Sequence, residues 1–138
     1  MSTRLEDYDK IMKTMPGFIK EMGIELVEVK EKYARGRIDV LEKHLNPFGT
    51  VHGGMIFGLC DTIGGIAAMT TGSHVVTLDS SICYLAPAPG TGFLEAEATA
   101  IKDGKTTAIY DVIVRTAEGA SVAKTTITYF KVGDTRLT

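Results

Sequence analysis

Apolar positions recur along this chain with two different periods, and the change from one to the other divides it. Leu5, Tyr8, Ile11, Met12 and Met15 fall three and four residues apart, the spacing of one helix face. Thr3 and Glu6 frame them as a capping box would, and Pro16-Gly17 should stop the helix. Two short strands are predicted next. One is Ile24 to Val29; in the other, Ala34, Gly36, Ile38 and Val40 alternate with Arg35, Arg37 and Asp39. Glu31-Lys32 falls at the turn between them, and Asn46 to Val51 reads as a loop. His52 to about Met69 is apolar nearly all round, which predicts one long enclosed helix.

From Val75 onward the period becomes two. Val76, Leu78, Ser80, Ile82 and Tyr84 are predicted to share one strand face, and Val75, Thr77, Asp79, Ser81 and Cys83 the other. Ala86-Pro87-Ala88-Pro89-Gly90 breaks the pattern. Phe93 to Ile101, Thr106 to Thr116 and Ala120 to Lys131 follow as strands, with Asp103-Gly104 and Glu118-Gly119 as turns. Five to six strands and one buried helix specify an α+β fold. The simplest enclosure is a curved antiparallel sheet wrapped around the long central helix, with the short N-terminal helix outside. One domain over residues 1–138 is expected.

Charge narrows the function classes. The chain of 138 residues carries a formal charge of −2 with no block of like charges. It therefore lacks the basic footprint of a nucleic-acid binder. No signal peptide opens it, and Met55 to Met69 is too short for a membrane span and interrupted by Asp61. Cys60 and Cys83 lie in apolar contexts without redox or metal spacing, and read as reduced core residues of a cytoplasmic protein. His44 and His74 read as surface residues, and the three histidines show no metal spacing.

Asp61 is the only charged residue between Met55 and Met69. A carboxylate among apolar neighbours is costly unless paired, so it needs a reason. Gly53 and Gly54 follow His52 where the helix should start and where backbone N–H groups lack partners. A helix start open to anions and an isolated carboxylate together suggest chemistry that stabilises an oxyanion. Each residue also has a plainer reading. Asp61 can bond a neighbouring backbone or face solvent, His52 can simply pack at a helix start, and Gly53-Gly54 can serve tight packing. Thr77 and Asp79 can be outward strand residues.

Three segments together resemble the hotdog-fold thioesterases, specifically the phenylacetate-pathway (PaaI-like) branch of acyl-CoA thioesterases. They are Asn46-Pro47-Phe48-Gly49-Thr50-Val51-His52-Gly53-Gly54, Leu59-Cys60-Asp61-Thr62, and Thr77 to Ala88. The resemblance implies a helix held in a curved antiparallel sheet, paired as a homodimer and commonly assembled into a homotetramer. It implies hydrolysis of an acyl-CoA substrate with no cofactor and no metal. Carried over, Asp61 is the general base or nucleophile and Gly53 presents its N–H to the thioester oxygen. His52 and Asn46 shape that turn. Thr77 stands where the family more familiarly has Ser near the carboxylate.

Gly53 and Asp61 are eight residues apart, about 12 Å along one straight helix. Both cannot touch one reacting carbonyl from the same chain, so the site requires two subunits. A non-catalytic acyl-CoA sensor is the alternative, although it would not need Asp61. A hotdog dehydratase would use a histidine paired with an acid in a motif not found here.

Overall fold

The computed structural model describes residues 4–14 and 17–134. Helix α1 (Arg4–Thr14) and the one-turn helix α2 (Phe18–Met22) precede a hairpin of β1 (Glu25–Lys30) and β2 (Tyr33–Asp39). A 3-10 turn at Glu42–His44 leads to the long helix α3 (Gly53–Met69), and four strands follow: β3 (Ser73–Tyr84), β4 (Phe93–Asp103), β5 (Thr107–Thr116) and β6 (Ser121–Asp134). Thr3, Met15 and Pro16, which carried the predicted capping box and helix stop, lie outside the described residues. The six strands form one antiparallel sheet in the order β1-β2-β4-β5-β6-β3, and α3 packs on strands across its width.

Period-two alternation explains the central strands. Ala34, Ile38, Leu94, Ala96, Ala98, Tyr110, Val112 and Val114 are buried. Arg35, Arg37, Glu95, Glu97 and Arg115 project from the other side as cross-strand ion pairs at 3.1–3.2 Å. The small inward residues let the helix sit close. A Cβ on Gly36 would lie 2.5 Å from Ile63 Cδ1, so β2 meets α3 where it has no side chain.

Four expectations need correction. Helix α2 was not foreseen, because one turn is too short to show a period; it ends at Gly23 in the left-handed conformation, φ 74°. His44 is buried rather than at the surface. Its Nδ1 accepts the Leu41 N–H at 3.0 Å, leaving Nε2 to donate to the Met22 carbonyl at 3.1 Å. Cys60 is in the core as expected, but Cys83 is exposed. Last, β3 does not keep one alternation along its length. Thr77 is opposite Tyr129 and Asp79 opposite Thr128, so Leu78 is an extra residue in the ladder. That bulge reverses which side chains face the helix. Thr77 reaches Asp61, and beyond the bulge Tyr84 reaches Gly53.

Candidate active site

The helix start is built by local hydrogen bonds. Asn46 Oδ1 accepts the N–H groups of Phe48 at 2.9 Å and Thr50 at 3.2 Å, and its Nδ2 donates to Thr50 Oγ1 at 2.7 Å. The Asn46 side chain thus closes its own loop. His52 is the N-cap of α3: its Nδ1 accepts the Gly54 N–H at 2.8 Å, which puts the ring proton on Nε2. The His52 carbonyl accepts from Met55 and Ile56 at 2.9 and 3.1 Å, and the His52 N–H donates to the buried His44 carbonyl at 2.8 Å. After these bonds, the Gly53 N–H alone in the first turn has no acceptor among the described residues. A bare N–H at the positive end of a 17-residue helix is suited to hold negative charge.

Asp61 lies two turns along the same helix. It is half-buried and not isolated: Thr77 Oγ1 donates to its Oδ1 at 2.6 Å. Its backbone carbonyl accepts the Tyr129 hydroxyl at 2.9 Å. Neighbouring Cys60 is fully buried, and burial, reinforced by the Asp61 charge, pushes its thiol up to about 12. That thiol is no nucleophile near neutral pH.

Two hydroxyls escaped the sequence reading. Tyr84 donates to the Gly53 carbonyl at 2.8 Å, and burial raises its pKa. Tyr129 anchors Asp61 from β6. Only the bulge and the sheet order bring them to α3. Arg115 is paired with Glu97 at 3.2 Å.

The structure therefore brings Asp61 and Thr77 together, and separately Asn46, His52 and Gly53. It does not bring the two groups to one point within a chain, because Gly53 and Asp61 occupy one continuous helix. Each group has its own cavity. One, of 420 Å³, includes Asp61, Thr77 and Tyr129. The other, of 440 Å³, includes Gly53, Tyr84 and Pro87. Among the described residues, no three His, Cys, Asp or Glu side chains are grouped to hold a metal ion. No helix among them is long and apolar enough to cross a membrane.

Known proteins share this arrangement of elements. Residues 48–123 match the family model of the thioesterase superfamily. The chain is 33% identical to acyl-coenzyme A thioesterase 13 of Mus musculus over 115 residues, which cover 81% of this chain and 82% of that protein. The structure of the E. coli PaaI protein from the phenylacetic acid degradation operon superposes with a TM-score of 0.87 at 25% identity, covering 95% of each chain. A Streptococcus mutans protein solved bound to acetyl CoA is 37% identical with a TM-score of 0.78, over 80% of this chain and 90% of that one.

Proposed function

The chain belongs to the thioesterase superfamily as a PaaI-like hotdog thioester hydrolase, and we propose that it cleaves acyl-CoA to free acid and CoA at a site shared by two subunits. The observation that carries this reading is the pairing of one bare N–H, Gly53's, with one hydroxyl-held carboxylate, Asp61's, on the same helix. In the proposed complex the thioester carbonyl of the substrate lies between Gly53 of one subunit and Asp61 of the other. A water oxygen attacks the carbonyl carbon while its proton passes to Asp61, or the Asp61 carboxylate attacks directly to give a mixed anhydride that water then hydrolyses, releasing the acid and restoring the carboxylate. Negative charge develops on the carbonyl oxygen and is held by the Gly53 N–H and the helix dipole. The C–S bond breaks and CoA leaves as a thiolate, which is a good enough leaving group to need no strong acid.

Thr77 orients Asp61, while His52 and Asn46 hold the turn that presents Gly53. His52 does so by taking up the Gly54 N–H and the helix entry, which leaves Gly53 as the donor available to substrate. Strand β3 supports the pairing of subunits. It is a 12-residue edge strand with Val76, Leu78 and Tyr84 about half exposed, and such an edge is a template for a second strand. A two-fold pairing there gives two equal sites. The same reading takes residues 1–138 as one hotdog domain, with a tetramer as a pair of such dimers.

The test is thiol release from a panel of aryl- and fatty-acyl-CoA esters by wild type and Asp61→Asn. The variant is expected to lose roughly 10²–10⁴-fold in kcat, the range for a general base, with its circular dichroism and oligomer size unchanged. Tight acyl-CoA binding by both proteins, with turnover by neither, would replace hydrolysis with sensing.

A further inference from the structure

The cavity beside Asp61 runs along one face of α3. Asp61, Gly65 and Met69 line it, four residues apart and so stacked turn upon turn. Strand β3 supplies the facing wall through Val75, Val76 and Thr77. Because β3 begins just after α3 ends and runs back along it, Thr77 stands opposite Asp61 and Val75 lies nearer Met69. Between Asp61 and Met69 the helix rises about 12 Å. Met12 of α1 and the exposed ring of Phe18 of α2 border the same space. Thus the passage is lined mainly by apolar side chains, with Tyr8 of α1 also on its wall, and the carboxylate and the Thr77 hydroxyl lie together at one end.

Gly65 is the unexplained residue in that passage. Glycine is a poor choice inside a helix, because it loses the most backbone freedom on folding. Its neighbour Gly64 has a packing reason: a Cβ there would collide with the Tyr129 hydroxyl. Gly65 has none. A Cβ there would meet only Tyr129 Cε1, at an ordinary 3.7 Å, and its φ is not in the left-handed region. What the missing side chain does is leave the cavity open one turn beyond the carboxylate.

We propose that Gly65 determines acyl specificity by keeping that passage clear for a linear apolar acyl tail extending from Asp61 toward Met69. The proposal rests on the thioester-hydrolase reading above and adds its substrate class, linear chains of medium length over acetyl or arylacetyl groups. A larger residue at 65 blocks the tail one turn past the reacting carbon while leaving the carboxylate end in place. Selectivity between long and short chains then falls.

The experiment compares wild type, Gly65→Ala and Gly65→Leu on acetyl-, hexanoyl-, decanoyl- and phenylacetyl-CoA. Wild type is expected to show its highest kcat/KM on a hexanoyl or decanoyl ester. The decanoyl-to-acetyl ratio should fall at least about tenfold in Gly65→Leu, the scale of a misfit in an apolar pocket, and by less in Gly65→Ala. An equal loss on every ester, or a wild-type preference for acetyl or phenylacetyl, overturns the proposal. Titration with the non-hydrolysable thioethers S-ethyl-, S-hexyl- and S-decyl-CoA separates this from the hydrolysis reading. Affinity that rises with alkyl length in wild type and flattens in Gly65→Leu supports the passage even where no ester is cleaved. Affinity independent of length in wild type overturns it. Should Gly65→Leu not fold, the graded change in Gly65→Ala carries the same test.

Discussion

Gly64 and Gly65 are adjacent in sequence but answer to different constraints, and stability separates them. A methyl at Gly64 is driven into the Tyr129 hydroxyl, which itself holds the Asp61 carbonyl. Gly64→Ala should therefore cost roughly 1–3 kcal/mol, as overpacking does. Gly65→Ala meets no such obstacle and should gain roughly 0.5–1 kcal/mol from helix propensity. Urea denaturation of the two variants checks both signs. Thr77 is testable at the same scale. Its hydroxyl bonds a carboxylate at 2.6 Å, and a hydrogen bond to a charged group is worth roughly 1.5–3 kcal/mol. Thr77→Val should lower kcat/KM by roughly tenfold or more, whereas Thr77→Ser, which keeps the hydroxyl, should stay near wild type. Activity kept in Thr77→Val and lost in Thr77→Ser would mean that the methyl group matters and the hydroxyl does not.

At the level of elements, the helix start depends on segments distant in sequence. The buried His44 ring joins the end of α2, through the Met22 carbonyl, to the 3-10 turn, and its own carbonyl receives the His52 N–H. Burial lowers the pKa of His44 below its ordinary 6.5. The unfolded chain then takes the proton more readily, so protonation favours unfolding. The contribution of neutral His44 is complete above pH 6.5 and is lost as pH falls below that value toward the folded-state pKa. Melting temperatures measured from about pH 8 to about pH 5 should fall further for wild type than for His44→Gln, which cannot titrate. Parallel curves would remove His44 from the account. The bulge at Leu78 is the other element-scale device. By adding one residue to β3 it turns Thr77 and Tyr84, which simple alternation sets on opposite faces, toward the same helix.

At the scale of the whole molecule, the distance along α3 makes the proposed active site a property of two chains. Subunits carrying Asp61→Asn and Gly53→Pro, each inactive as a homodimer, are predicted to complement when paired. Proline suits the first position of a helix, and His52 already has the extended backbone that must precede it, with ψ 135°. A heterodimer isolated through two different tags has one intact site and one doubly defective site, so about half of wild-type turnover per dimer is expected. No recovery in a folded heterodimer would place Gly53 and Asp61 in separate functions. On the outer face, the ion pairs among Arg35, Arg37, Glu95, Glu97 and Arg115 are partly exposed. They align strands more than they stabilise the sheet.

Much of this protein was legible because it depends on local periodicity. The apolar run after His52 could only be an enclosed helix, and alternation from Ala34 to Ile38 and from Leu94 to Ala98 set the inner faces of β2 and β4. Asn46, His52 and Asp61 bond near neighbours or sit on one helix, but they were singled out mainly by the family resemblance, Asn46 almost wholly so. Burial of His44, exposure of Cys83 and the reach of Tyr84 and Tyr129 were decided only by the folded chain. Each depends on which strands become neighbours and on one bulge that reverses a face. A sequence pattern of period two carries no mark of the residue at which its parity changes.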